Sequence, residues 1–433
     1  MKNIFTLLLL LSALYTFSQT DKARQIIKTK SAEIEKKVIA WRRDIHEHPE
    51  LGNREFRTAE LIAKHLQSLG IEVKTGVGKT GVVGLLKGSL PGPVIALRAD
   101  MDALPVYEKN ELPFASKATT EYNGQQVGVM HACGHDTHVA MLMGTAEVLA
   151  SMKKELKGSV KFIFQPAEEG APKGEEGGAE LMVKEGVLEN PKVDVIFGLH
   201  ISSMHEVGTI TYRPGGAMAS VNDMKITVNG KPSHGAQPWA SVDPILVSAQ
   251  IITSLQSIVS RNLDVTENPA VVTIGSIHGG NRSNIISEKV ELMGTVRTLS
   301  AEDEKMVIRR INEIATHTAQ AAGATVVIEL PYSTRYPVTF NNIALTNRML
   351  PSIQKSAGKE NVTLVPARTG SEDFSYFAER VPGLFLFLGG MPKGTDPKNA
   401  GPHHTPQFIV DDSGLTLGVN TLCNLVVDYA NGK

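Results

Sequence analysis

The stretch "PVIALRAD" (Pro93–Asp100) is apolar and non-alternating until it ends in charge. A strand with one wet face alternates. A continuous run must be covered on both faces, which predicts a central strand in a sheet flanked by helices. The neighbouring segments agree. "GVVGLLKG" precedes it, while "SVKFIFQPAEEG", "VDVIFGLH" and, much later, "LFLFLGG" follow. Helical spacing fills "HVAMLMGTAEVLASMKKEL" and "LTLGVNTLCNLVVDYA". Strands alternating with helices predict an α/β domain with a mostly parallel sheet.

Near Thr211 the texture changes. "NDMKITVNG" alternates, "DPILVSAQIITSLQSIVSRN" is helical, "AVVTIGSIHGG" and "EKVELMGTVRTLS" are strands, and a charged helix from Glu302 to Ala322 leads into "ATVVIEL". This β-α-β-β-α-β order predicts a ferredoxin-like α+β domain inserted between two halves of the first. The 433 residues are too many for one average domain. The expected layout is the α/β domain at 21–210 and 331–433 around the inserted domain at 211–330.

The first residues, "MKNIFTLLLLLSALYTFSQT", have a positive Lys2, a short apolar run and a small Ser18. They read as a signal peptide over 1–18, which predicts export to a periplasm or the exterior. No later run is long enough to span a bilayer. A net charge of −1 provides no field for nucleic acid or a membrane surface, so a small-molecule partner is expected.

Export makes the two cysteines, Cys133 and Cys423, a default disulfide. Cys423 also fits a buried, inert thiol on a helix face. Cys133 lies in "MHACGHDTH", where an extended backbone would point it the same way as His135. Asp136 is placed to cap the following helix. Asp100, Glu168, Glu169 and His200 all fall at the C-terminal ends of predicted strands, where open α/β sheets bind ligands. His403 and His404, after "LFLFLGG", could return to that edge.

A thiolate, imidazoles and carboxylates suit zinc and neighbouring transition metals. On local spacing alone, a metal site and bystander histidines both stay open. In "PAEEG", a turn would aim the adjacent carboxylates apart, leaving Glu169 for a cation and Glu168 to face substrate as a base. "KGEEGGAE" reads as a solvated acidic turn. His138 is placed to support the site by hydrogen bonding, His403 to point elsewhere, and "HEHPE" (His46–Glu50) to pack the first helix.

Six motifs occur in order: "RADMDALP", "MHACGHDTH", "FQPAEEG", "GLH", "SHGAQPW" and "HTPQF". Together they resemble the amidohydrolase branch of the aminoacylase/carboxypeptidase metallopeptidases, which includes hippurate hydrolases, N-acyl-amino-acid amidohydrolases and auxin-conjugate hydrolases. The resemblance implies two divalent ions, zinc or manganese, held by Cys133, His135, Glu169, His200 and His404, with Cys133 bridging. Such a bridge and a Cys133–Cys423 disulfide exclude each other. It further implies Glu168 as general base and Asp100 as a carboxylate steadying a histidine ligand. It implies that the α/β domain is catalytic and the inserted domain a lid, with His234 reaching across a homodimer, formed through the lid, to the substrate carbonyl. Asn284 and Arg297 would meet the substrate's carboxylate or reacting oxygens. Trp239 departs from the histidine common at its position, which bears on acyl preference.

The implied activity is cleavage of the amide bond of N-acyl or aryl-acyl amino acids by a metal-activated water. A dipeptidase or carboxypeptidase on the same scaffold, and a non-catalytic conjugate-binding protein, are the alternatives.

Overall fold

The computed structural model describes residues 21–267 and 269–433. The expected signal peptide lies outside the described residues. Among those described, no helix is long and apolar enough to cross a membrane. The chain forms two compact units. One comprises the described residues up to Gly215 with Asn341–Val365 and Tyr376–Lys433; the other comprises the described residues of Gly216–Phe340 with Pro366–Ser375.

The expected limits of the inserted domain, 211 and 330, therefore fall about five and ten residues early. Pro366–Ser375, expected in the catalytic domain, belongs to the second unit instead. Backbone bonds explain this: Ala219 N–H donates to Arg368 O and Gly370 O, both at 3.0 Å, and Arg368 N–H donates to Ala217 O at 2.9 Å.

In the first unit, α1 (Glu35–Glu47) and α2 (Phe56–Ser68) lead into β1 (Glu72–Val77), β2 (Gly81–Lys87) and β3 (Leu90–Asp100). The Glu50 carboxylate of "HEHPE" accepts from the Arg57 and Thr58 amides, each at 2.9 Å, satisfying donors that the start of α2 leaves bare. Next come α3 (His135–Ser151), β4 (Lys157–Gln165), β5 (Val195–Glu206) and β6 (Ile210–Tyr212). Helix α3 is buried almost throughout its length, as its all-round apolar sequence requires.

The second unit contains β7 (Val221–Asn229), β8 (Ser233–His234), α4 (Pro244–Asn262), β9 (Val271–Gly279), β10 (Ile285–Ile286), β11 (Lys289–Arg297), α5 (Ala301–Ala321) and β12 (Thr325–Glu329). Its main sheet runs β9-β11-β7-β12, with antiparallel neighbours. Val307, Ile311, Ala315 and Ala319 recur every four residues on α5 and join Ile226, Val228 and Leu292 in a separate core.

The chain returns to the first unit with α6 (Ile343–Ala357), β13 (Val362–Leu364), β14 (Gly383–Met391) and α7 (Leu415–Ala430). The sheet order there is β1-β2-β4-β3-β5-β14-β6-β13. Strands β4, β3, β5 and β14 are parallel. Pairings β1–β2, β2–β4 and β14–β6 are antiparallel. "PVIALRAD" thus lies inside the sheet, with its last six residues buried. His200 does not end its strand as expected. β3 last pairs with β5 at Gly198, whereas β14 stays paired to β5 as far as Glu206.

Candidate metal centre

Cys133 precedes the metal-edge helix α3. The backbone between it and His135 is not extended as expected: Gly134 has φ +92° and occupies the N-cap position of α3. A Cβ there would meet Ile201 Cγ2 at 2.3 Å, so both conformation and space call for glycine. Asp136 is consequently not the cap. It lies buried in the first turn, ion-paired to Arg42 at 2.9 Å and facing His46 Nδ1 at 2.8 Å.

Among the described residues the donor atoms form several overlapping groups, and two of these share the Cys133 sulfur. Those of Cys133, His135 and His200 lie within 4.8 Å of one another, and so do those of Cys133, Glu169 and His404. Cys133 Sγ belongs to both, 3.4 Å from His200 Nε2 and 3.3 Å from His404 Nε2. His404 Nε2 is 3.0 Å from Glu169 Oε1. The His404 amide donates to Ala132 O at 2.8 Å, and His404 itself has φ +63°, a conformation an L-residue adopts only when its surroundings impose it. The loop after β14 therefore does return to the edge.

Tautomers follow from the partners. His200 Nδ1–H donates to Ile201 O at 2.5 Å, and His135 Nδ1–H to Asp102 Oδ1 at 3.2 Å, so in the neutral ring of each it is Nε2 that is left without a proton. His135 Nε2 is buried without any hydrogen-bond partner. Burial and the nearby carboxylates Glu169, Glu168 and Asp100 push the Cys133 thiol well up. Burial, reinforced by neighbouring imidazoles, holds His200 well below its ordinary value. Burial opposes protonation of His135, but Asp100 and Asp102 raise it to about 10. An orphaned imidazole nitrogen and a sulfur that lies close to both the His200 and the His404 nitrogen fit divalent cations, and a bound cation would stabilise the thiolate that the metal-free site disfavours.

Asp102 was missed from sequence. Its Oδ1 faces His135, and its Oδ2 accepts from the Glu169 amide at 2.9 Å, so one carboxylate orients a residue of each cluster. The D-x-D spacing of "RADMD" was the available signal. Asp100 acts one step further back. Its Oδ1 takes the Nδ1–H of His138, and its Oδ2 pairs with Arg98 at 2.7 Å. His138 Nε2 then accepts the Ile201 amide at 2.8 Å, beside His200. His403 does not point elsewhere: its Nε2 accepts from Ser203 N–H at 3.2 Å, which leaves Nδ1–H toward Cys133 Sγ at 3.6 Å. Cys133 and Cys423 are both free and buried, which overturns the disulfide; Cys423 Sγ faces Thr145 O instead.

Glu168 is buried, with Oε2 3.9 Å from His135 Nε2. Ala167 just before it has φ +51°, the turn that separates the two carboxylates. A cavity of about 680 Å³ opens beside Glu169, with walls from Glu50–Gly52, Asp102–Pro105 and Thr119–Asn123.

The second unit holds the remaining residues. His234 is exposed on β8, paired to Ile285 of β10, and its Nδ1 accepts the Ala236 amide at 3.0 Å. Asn284 lies alongside, its carbonyl accepting from Gly235 N–H at 2.8 Å. Arg297 sits at the far end of β11, where Nη1 donates to Ser371 Oγ at 3.1 Å. Trp239, 80% exposed, lies in a single 3-10 turn, Pro238–Ala240, after His234.

Residues 96–428 match the model of peptidase family M20/M25/M40. The chain is 40% identical to thermostable carboxypeptidase 2 of Saccharolobus solfataricus, over 94% of this chain and 98% of that protein. It is 39% identical to N-acetylcysteine deacetylase of Bacillus subtilis, over 90% and 96%. Among solved structures it is similar to Bacillus subtilis YXEP, described as a dinuclear metal-binding peptidase of the M20 family. That match has a TM-score of 0.75 and 36% identity, and covers 92% of this chain and 99% of that one. A unit with a mixed, mostly parallel sheet and clustered candidate metal donors, together with a separate antiparallel unit, is the architecture of a two-domain metallohydrolase. The chain belongs to the M20/M25/M40 peptidase family and is a metal-dependent amidohydrolase of its amidohydrolase branch.

Proposed function

We propose that the protein hydrolyses the amide bond of N-acyl or aryl-acyl amino acids, using two divalent ions, zinc or manganese, held by Cys133, His135, Glu169, His200 and His404. The observation that carries this reading is the pair of donor clusters sharing the Cys133 sulfur, with Glu168 alongside. When bound, the ions polarise the amide carbonyl and acidify water. The Glu168 carboxylate then takes the proton of the attacking water and returns it to the leaving amine nitrogen. Asp102 holds His135 and the Glu169 backbone in register, and His403 Nδ1–H hydrogen-bonds the Cys133 sulfur.

Because His234 Nδ1 accepts a backbone amide, its neutral ring carries the proton on Nε2, a donor suited to a developing oxyanion. Asn284 and Arg297 are assigned to the substrate's carboxylate or reacting oxygens. A homodimer through the lid is supported by β9, an edge strand with Val271 and Ile277 exposed, and by exposed Ile245 and Leu246 on α4. The N-terminal pattern over residues 1–18 supports export.

A carboxypeptidase activity is the second reading, favoured by the 40% identity to a protein of that name. The deciding experiment gives chelated enzyme, then zinc- or manganese-reloaded enzyme, a panel of N-acyl amino acids and dipeptides. Metal-restored turnover of the acyl series above the dipeptides supports the first reading. The reverse order supports the second, and no turnover of either series removes both.

A further inference from the structure

The segment "ELGNRE" (Glu50–Glu55) has no part in the chemistry above, yet it grips the loop that carries both adjacent carboxylates. Glu55 is wholly buried. Its Oε1 accepts from the Ala167 amide at 2.9 Å, and its Oε2 accepts from the Thr80 hydroxyl at 2.5 Å. Gly52 packs so closely that an added Cβ would meet Gly170 O at 2.9 Å and Ala167 Cα at 3.1 Å. Asn53 donates to Glu175 Oε2 at 3.1 Å and to Glu176 O at 3.0 Å, and Arg54 pairs with Glu175 at 2.6 Å.

The contact to Ala167 falls where the backbone is least comfortable. With φ +51°, Ala167 occupies a region that costs an alanine free energy and persists only if something holds it there. Relaxing that one residue would swing Glu168 and Glu169 together. A buried carboxyl is a costly way to satisfy one amide, when a backbone carbonyl or water would serve.

The geometry points to Glu55 as a positioning residue: through Ala167 it holds the turn that aims Glu168 at substrate and Glu169 at a metal ion. This rests on the reading of Glu169 as a metal ligand. A misplacement of about 1 Å at the reacting groups is enough to lower rate ~10²-fold.

The test uses the full-length mature protein with Glu55→Ala, Glu55→Gln, Gly52→Ala and, as a control, Glu169→Ala. It reads metal stoichiometry, metal affinity by chelator competition, and kcat and KM per folded molecule. Glu55→Ala is expected to lower kcat roughly 10- to 100-fold with KM within about threefold, and to weaken the ion that Glu169 holds. Glu55→Gln, which can still accept from Ala167, should recover most of that loss. Gly52→Ala, which pushes on the same turn without emptying the buried site, should lower kcat in the same direction, and it decides the matter if Glu55→Ala does not fold. Folded Glu55→Ala or Gly52→Ala protein with kcat and metal affinity within twofold of wild type overturns the assignment. If Glu169→Ala keeps both ions, it is the ligand reading that fails, and the two failures are distinguishable.

Discussion

Cys133 Sγ and His404 Nε2 lie 3.3 Å apart although 271 residues separate them in the chain. The sulfur also belongs to the cluster of His135 and His200, whereas the His404 nitrogen serves only the cluster with Glu169. Shared and unshared donors should behave differently when removed. Cys133→Ala is expected to lose both ions on desalting and His404→Ala only one. Elemental analysis of the two variants beside wild type checks this, and equal losses would contradict a bridging sulfur.

Asp102 contacts a residue of each cluster without donating to either ion in the proposed centre. Asp102→Asn should therefore fold normally and weaken metal binding or activity by about 10- to 100-fold, the usual cost of removing such a partner. Chelator titration alongside turnover measures it.

Glu168→Gln should retain metal content and lose about 10²- to 10⁴-fold in kcat, as expected of a missing general base. A variant that keeps both ions and hydrolyses as fast as wild type would remove Glu168 from the chemistry.

In the metal-free protein His135 titrates near 10 and the Cys133 thiol is pushed up, so both carry protons at neutral pH. A cation must displace them. Metal affinity should rise with pH through the neutral range by up to two decades per unit, with proton release on loading. Calorimetry in buffers of different ionisation enthalpy counts the protons; binding independent of pH between 6 and 8 would refute it.

Burial and the nearby Asp102 raise the Glu55 carboxyl to about 8. Between its ordinary value and 8, the folded chain keeps a proton that the unfolded chain has lost. The sign follows: Glu55's contribution to stability is fully present at low pH and declines as pH rises toward 8. Urea melts of metal-free wild type and Glu55→Gln at pH 5, 6.5 and 8 should show the wild type losing ground to the variant as pH rises.

The architecture was legible because apolar runs such as "PVIALRAD" can be satisfied only inside a covered sheet, and β-α-β-β-α-β patterning leaves few arrangements for the second unit. The candidate ligands could be named from the order of the motifs, and the structure brings their donor atoms together. What escaped was orientation. Gly134 turns left-handed where an extended backbone was expected, because Ile201 fills the space a side chain would need. Asp100 ends its strand and Asp102 lies two residues beyond it, and which of them reaches His135 depends on the backbone leaving the sheet there. His403 could be placed only once Ser203, on another strand, fixed its tautomer.

Strand β14 fills the middle of its sheet, between β5 and β6, yet it is made only after the whole second unit and α6. Until it arrives, β5 has a naked edge at the sheet's heart, and the loop bearing His404 has nothing to be delivered on. A nascent polypeptide can therefore display most of the donors long before it can enclose a pair of ions. Assembly of the centre must wait for the final tenth or so of synthesis, and a truncation that removes β14 onward would leave an apolar slot between β5 and β6.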